Sequence, residues 1–372
     1  MTAPVTIVGY PFQPTGMAEH ARSTFRALRA AGITPRLLDA AEHNAPIDPD
    51  LDRDFGPYLA SALGEGVNIF GVNGDQAAQV IDRVGERAFA AGYNIAYPAW
   101  ELARYPAEWA ATLDRFDEIW APSTFVQQAL QAAVSRPVHH MPLPVDLTLS
   151  AFLGRRHFGI PEEAFVVLFF FDALSFQARK NPEAVLKAFE IVAARRPDAD
   201  ICCVIKSRSG QDDDAAEAEL EARVAALGAR AMIISGDLTD NEIKNLVRVC
   251  DVFVSLHRSE GFGRGMAEAM SFGRSAIATG YSGNVDFMVP GTSLLVDYDL
   301  VLVAPGAYPK ADGQVWAEAS PEHAARLIEQ LLDDPAAARA MGQRAKAHIR
   351  ETLSVAAAGR RLLARLEAIG RA

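Results

Sequence analysis

The sequence predicts an α/β protein built from two doubly wound, parallel-sheet domains. Three observations carry that expectation. Short apolar runs alternate with amphipathic segments along almost the whole chain, the pattern of strand–helix–strand units. At 372 residues the chain exceeds one ordinary core. The alternation also stops at Met141-Pro-Leu-Pro-Val-Asp146, where two prolines read as a linker, and then restarts. The expected division is an N-terminal domain over 1–146 and a C-terminal domain over 147–354. A final helix at about 355–372 is free to pack back on the first domain.

In the first half, the apolar runs at 5–8, 35–38, 67–72, 93–97, 118–121 and 138–141 read as strands. A helix over 18–31 carries alanine, leucine and arginine at helical spacing and stops at Gly32. Ser123 caps another helix, running to about 134. The second half opens with a continuous apolar strand at 165–171, followed by a helix from Pro182. Strands at 200–206, 232–234, 252–256 and 275–278 then alternate with helices near 214–227 and over 240–249. A further helix opens at 267–272 and stops at Gly273, and the last segments, 335–353 and 355–369, are helical. Continuous apolar strands are those of a sheet covered on both faces. In such sheets ligands gather at the carboxyl ends of the strands, so two such domains would face each other across a ligand-binding cleft.

Composition narrows the function. Hydrophobic content of 50% and charged content of 22% describe an ordered globular protein. A net charge of −11 argues against nucleic-acid binding, which needs a clustered basic surface. No segment approaches the roughly 20 apolar residues of a membrane span; the longest candidate, 165–174, is interrupted by Asp172. No basic segment precedes the strand at 5–8, so no signal peptide is expected. Cys202, Cys203 and Cys250 lie in apolar contexts and read as buried free thiols of a reducing compartment. Neither Cys-x-x-Cys nor His-Glu-x-x-His occurs, so no metal is expected. The three spaced glycines of a dinucleotide loop, the Gly-x-Ser-x-Gly elbow and the Walker lysine are likewise missing.

Chemistry concentrates in loops that follow strands. Glu260-Gly-Phe-Gly-Arg-Gly-Met-Ala-Glu268 places two carboxylates with seven residues between them, across a glycine loop that becomes a helix. Strand, glycine loop and helix start make an anion site, because free N–H groups and the helix dipole point into it. The acids would repel phosphate and therefore suit hydroxyl groups. Phe171-Asp-Ala-Leu-Ser-Phe-Gln-Ala-Arg-Lys-Asn-Pro182 delivers Ser175, Arg179 and Lys180 after another strand. Adjacent cations there fit a leaving diphosphate, whose charge grows as its bond breaks; an ordinary surface pair is the alternative. Lys206-Ser-Arg208 ends a neighbouring strand and would line a nucleotide pocket.

Tyr281-Ser-Gly-Asn284 would open a short helix beside the acidic loop, with Asn284 adding donors, or simply form a turn. Gly16, at the mouth of the first helix, permits close backbone approach; a plain strand–helix turn needs a glycine as well. Trp100 and Glu101, in Tyr97-Pro-Ala-Trp-Glu-Leu102, suit a sugar through ring stacking and hydroxyl acceptance. A core Trp beside a surface Glu reads equally well. Asn73 has the same placement and a weaker claim. His257 reads as structural.

With these residues assembled, the chain resembles the retaining GT-B glycosyltransferases of group 1, also called family 4. The acid pair Glu260 and Glu268 matches that family's E-x7-E motif. Likeness extends to the Gly16 loop, Tyr97 to Leu102, Asp117-Glu-Ile-Trp-Ala-Pro-Ser123, Arg179-Lys-Asn-Pro182 and Trp316-Ala-Glu318. It is greatest toward a bacterial subgroup that builds surface polysaccharides. The resemblance implies that Glu260 binds donor-sugar hydroxyls and supports the charge developing on the sugar, while Glu268 holds the ribose. The backbone of Phe262, Gly263, Arg264 and Gly265 would contact sugar and phosphates, and Arg179 with Lys180 would neutralise the diphosphate.

Glu101 stands where many relatives carry a histidine, which leaves ligand and base both open for it. The implied reaction moves a hexosyl unit from a GDP- or UDP-sugar to a hydroxyl of a glycan or lipid-linked acceptor. It would proceed with retention, without metal or cofactor, in the cytoplasm or at the inner membrane face with at most peripheral contact. A sugar-phosphate synthase, a nucleotide-sugar epimerase or a non-catalytic sugar-binding subunit would use the same frame.

Overall fold

The computed structural model describes residues 4–41, 47–145, 147–172, 176–208 and 214–370. The chain separates into two compact units, Met1–Asp146 with Arg350–Ala372, and Leu147–Ile349. Each is built on a six-stranded parallel sheet.

In the first unit the strands are β1 (Val5–Gly9), β2 (Arg36–Asp39), β3 (Val67–Phe70), β4 (Tyr93–Ala96), β5 (Glu118–Ala121) and β6 (Val138–His140). Their order is β2-β1-β3-β4-β5-β6. The order reverses between β1 and β3, so the loops after those two strands diverge and leave a crevice at their carboxyl ends. The helices are α1 (Gly16–Ala30), α2 (Pro49–Phe55), α3 (Gly74–Val84), α4 (Glu86–Ala91), α5 (Ala107–Leu113) and α6 (Thr124–Gln131). Thr15 caps α1 by accepting from Ala18 N, and Gly32, at φ +83°, turns the chain away from its end. Ser123 caps α6, as expected, although that helix ends at Gln131. The β-strands bury Phe70, which meets Phe89 and Phe116 edge to face with centroids 5.7 and 5.2 Å away.

The second unit holds β7 (Phe165–Asp172), β8 (Ile201–Arg208), β9 (Ala231–Ile234), β10 (Val252–Ser255), β11 (Ser275–Thr279) and β12 (Leu294–Val296). Their order is β12-β11-β10-β7-β8-β9, and the reversal falls between β7 and β10. This is the strand order of dinucleotide-binding sheets, here without their glycine fingerprint. Helices α7 (Gln177–Lys180), α8 (Pro182–Arg195), α9 (Asp214–Ala226), α10 (Asp240–Val249) and α11 (Arg264–Ser271) connect the strands. The core joins Val167 and Phe169 of β7 to Phe189 and Val192 of α8, Val254 of β10 and, from a later helix, Ile328. The chain continues through an antiparallel ribbon, β13 (Tyr298–Leu302) and β14 (Val315–Ala319), to α12 (Pro321–Asp333), α13 (Pro335–Thr352) and α14 (Val355–Ala368).

Two expectations shift. Helix α11 starts at Arg264 rather than 267, because Gly263 at φ +94° bends the chain directly into it. The ribbon and α12 were not marked by the alternation of strand and helix. Val145 bridges to Ser354, and α14 packs on α1 in the first unit. The three cysteines are buried and free. Burial raises their thiol pKa values, that of Cys250 to about 12. Among the described residues no helix is long and apolar enough to cross a membrane.

Candidate active site

The second sheet brings together the two segments that flank its reversal. After β7 the chain reaches α7, a single turn carrying Arg179 and Lys180; after β10 it runs through His257 to Glu260. Lys180 Nζ lies 2.5 Å from Glu260 Oε1, and Arg179 Nη1 lies 3.2 Å from the same oxygen. Arg179 also donates to Ser259 O at 3.0 Å. Both Glu260 and Arg179 are buried, whereas the Lys180 side chain keeps 21% of its exposure. Burial by itself would raise the Glu260 carboxyl, but the charges of Lys180 and Arg179 more than reverse it, lowering the pKa to about 2. The group is therefore a carboxylate at neutral pH and no proton donor.

Its main chain is clamped from β11's following turn. Glu260 N donates to Ser282 Oγ at 2.8 Å and Gly283 N donates to Glu260 O at 2.8 Å. Ser282 sits at φ +74°, a strained value for a residue with a side chain. A Cβ on Gly283 would meet Gly261 O at 2.2 Å and Phe262 N at 2.8 Å, so only glycine fits there. His257 is buried and its pKa is lowered by that burial. Its Nδ1 meets Ser255 Oγ at 3.1 Å and its Nε2 meets Asn284 Oδ1 at 3.1 Å, the structural role expected of it.

Two candidates, Asn284 and Lys206, take other positions than the sequence suggested, and several neighbours carry packing roles as well. Asn284 is fully buried: its amide donates to Thr279 O at 3.0 Å and its oxygen meets His257, so its side chain shapes the loop instead of facing a ligand. Gly265 is a packing glycine, since a Cβ there would meet Phe170 Cζ at 2.7 Å and Phe253 Cζ at 2.9 Å. Phe262 turns its ring inward, 5.2 Å from Phe287. Lys206 is buried and donates to Gly236 O at 2.8 Å, tying β8 to the segment after β9. Glu268 is buried on α11, and Arg264 opens that helix. Ser175 and the side chain of Arg208 lie outside the described residues.

In the first unit, Trp100 is a core residue and offers no stacking face. It is 3% exposed, donates to Arg104 O at 3.0 Å, and packs edge-on against Tyr105 and Trp109. Asn73 binds two loops together, because its Oδ1 accepts from Ala99 N at 3.2 Å. Glu101, next in the same loop, is half-buried. A Cβ on Gly16 would touch nothing within 4 Å, so protein packing does not demand a glycine there. The β1–α1 loop is braced from behind: Arg22 donates to Pro11 O and Gln13 O and pairs with Glu19 at 2.8 Å. Among the described residues no group of three or more His, Cys, Asp or Glu is arranged to hold a metal ion.

Residues 155–348, just over half of the chain, match the family described as Glycosyl transferases group 1. The chain belongs to that family. The D-inositol 3-phosphate glycosyltransferase of Arthrobacter sp. (strain FB24) is 30% identical over 214 residues, 56% of this chain and 44% of that protein. The match thus spans less than half the length of that relative. The crystal structure of Anabaena Alr3699/HepE in complex with UDP-glucose is similar at a TM-score of 0.71 and 14% identity, covering 98% of this chain and 100% of that one. Sucrose-phosphate synthase from Thermosynechococcus elongatus is similar at 0.69 and 16%, covering 99% of each. At such identities the likeness is one of fold, two Rossmann-like α/β units of the GT-B kind.

Proposed function

We propose that the chain is a retaining, metal-independent hexosyltransferase of the family 4 kind. It would move a hexosyl unit from a GDP- or UDP-sugar to a hydroxyl of a glycan or lipid-linked acceptor, in bacterial surface polysaccharide synthesis. The observation that carries this reading is the ionised Glu260 held between Lys180 and Arg179 beside the start of α11. A carboxylate with a pKa of about 2 accepts hydroxyl hydrogen bonds and stabilises positive charge developing on the sugar. Lys180, the more exposed cation, and the first N–H groups of α11 offer opposite charge to the departing diphosphate. Side-chain cations would then do what a metal does elsewhere. Glu268 is assigned to the ribose, Gly16 and Asn73 to the acceptor side, and Glu101 to the reacting carbon as ligand or base.

A phosphorylated small acceptor is a second reading. It is favoured by the names of the matched proteins, a D-inositol 3-phosphate glycosyltransferase and a sucrose-phosphate synthase. Nucleotide release from a panel of GDP- and UDP-sugars, with glycans and with phosphorylated polyols as acceptors, separates the two. Glu260→Ala is expected to lower turnover by at least about 100-fold, the scale of a lost transition-state charge contact. Product anomeric configuration, read by NMR, tests retention. A panel giving neither nucleotide release nor thermal stabilisation would overturn the transferase reading.

A further inference from the structure

Helix α7 carries both cations on one turn of four residues, too short to hold its own shape. It is bounded by two left-handed residues, Phe176 at φ +63° and Asn181 at φ +55°. Contacts from elsewhere must therefore set its direction. Two of them converge on one side chain of the distant ribbon. Glu318, on β14, accepts from Asn181 Nδ2 at 3.1 Å with one oxygen and pairs with Arg258 Nε at 2.6 Å with the other. Arg258 in turn holds the middle of α7: its Nη1 donates to Ala178 O at 2.6 Å and its backbone N to Arg179 O at 2.8 Å. The ribbon fixes Arg258 in two further ways. Ala317 N donates to Arg258 O at 2.9 Å, and the guanidinium lies 5.5 Å from the Trp316 ring.

We propose that Glu318 is a positioning residue: its carboxylate ties the middle and the C-cap of α7 to the Glu260 loop and so sets Lys180 and Arg179 for the donor diphosphate. The use of that pair for a diphosphate rests on the function proposed above; the coupling of Glu318 to α7 does not. As an exposed ion pair Glu318–Arg258 would contribute little. Its effect comes from joining two segments separated by about 80 residues of sequence.

The test combines a measurement without ligand and one with it. Hydrogen exchange by mass spectrometry on the full chain should show segment 177–183 exchanging about tenfold faster in Glu318→Ala, with β7 and β8 unchanged. UDP and GDP binding by calorimetry should weaken about tenfold in Glu318→Ala. Glu318→Gln, which keeps the Asn181 hydrogen bond but not the charge, should weaken it about threefold. In a Lys180→Ala background the Glu318→Ala effect should fall to about threefold or less, because one of the two cations it positions is gone. Unchanged exchange at 177–183 overturns the coupling. Normal nucleotide binding by Glu318→Ala, or a full tenfold effect without Lys180, overturns the positioning role. A wild-type chain that binds neither UDP nor GDP, with the exchange effect intact, overturns the diphosphate assignment and leaves the coupling standing.

Discussion

Glu260 shows how one carboxylate links stability to pH. Its pKa falls from 4.5 to about 2 because, although burial raises it, the Lys180 and Arg179 charges outweigh burial. A depressed acid stabilises the folded state above its unfolded pKa and loses that contribution as pH falls toward the folded value. A shift from 4.5 to about 2 corresponds to about 3 kcal/mol. Urea midpoints of wild type and Glu260→Gln should therefore differ most above pH 5 and converge between 4.5 and 2. A difference that stays constant over that range would contradict the ion-pair account. Gly283 sets a steric limit on the same loop. Gly283→Ala forces a Cβ into the backbone of Gly261 and Phe262, atoms that have no rotamer with which to yield. The variant should lose about 2–3 kcal/mol in chemical denaturation, and a neutral result would show that the loop has room the geometry denies.

At the level of elements, the parallel strands were legible because each is a short apolar run buried on both faces. Residues 118–121 and 240–249 were read to the residue as β5 and α10. The ribbon was not. The tyrosine and leucines of β13 remain exposed, and its partner β14 follows twelve residues later, so neither periodicity nor a tight-turn signal marked the pair. The acid pair and the two cations were legible as residue types at strand ends. Their direct contact was not, since it depends on a separation of 80 residues closed only by the sheet. Trp100 was ambiguous for a similar reason: its burial is decided by Tyr105, from the loop before the next helix, and by Trp109 within that helix. Buried polar groups within α1 were also missed. Glu19 pairs with Arg22 and Arg26, and Arg22 holds two carbonyls of the Gly16 loop. Glu19→Ala strands a buried arginine and should cost about 3 kcal/mol. Thermal unfolding would check this, and a variant as stable as wild type would show that the loop is held by other means.

The chain closes its first unit with its last helix, so the stability of that unit depends on residues more than 200 positions apart. Glu118 of β5, fully buried, receives Arg365 of α14 through Nε at 3.1 Å and through Nη2, with Tyr93 at 3.0 Å and Trp120 at 2.7 Å donating as well and His139 Nε2 3.8 Å away. Burial raises the Glu118 carboxyl, and the Arg365 bonds with those from Trp120 and Tyr93 more than offset it, so the net shift is downward. Close packing of α14 on α1 accompanies the pair: a Cβ on Gly359 would lie 2.5 Å from Ala27 O. Arg365→Met keeps the stem that packs but leaves a carboxylate in the core without its counter-charge, a loss of about 3–5 kcal/mol. The remaining carboxylate would prefer to be protonated, so the deficit should shrink as pH falls, and Glu118→Gln in the same chain should recover part of it. Trp100, Trp109 and Trp120 lie in this unit and Trp316 in the other, so tryptophan fluorescence reports mainly on the first. Denaturant unfolding followed by that signal should move to lower concentration in Arg365→Met while hydrogen exchange in β7 and β8 stays at wild-type rates. Equal loss of protection in both units would mean that α14 stabilises the molecule as a whole rather than the unit it rejoins.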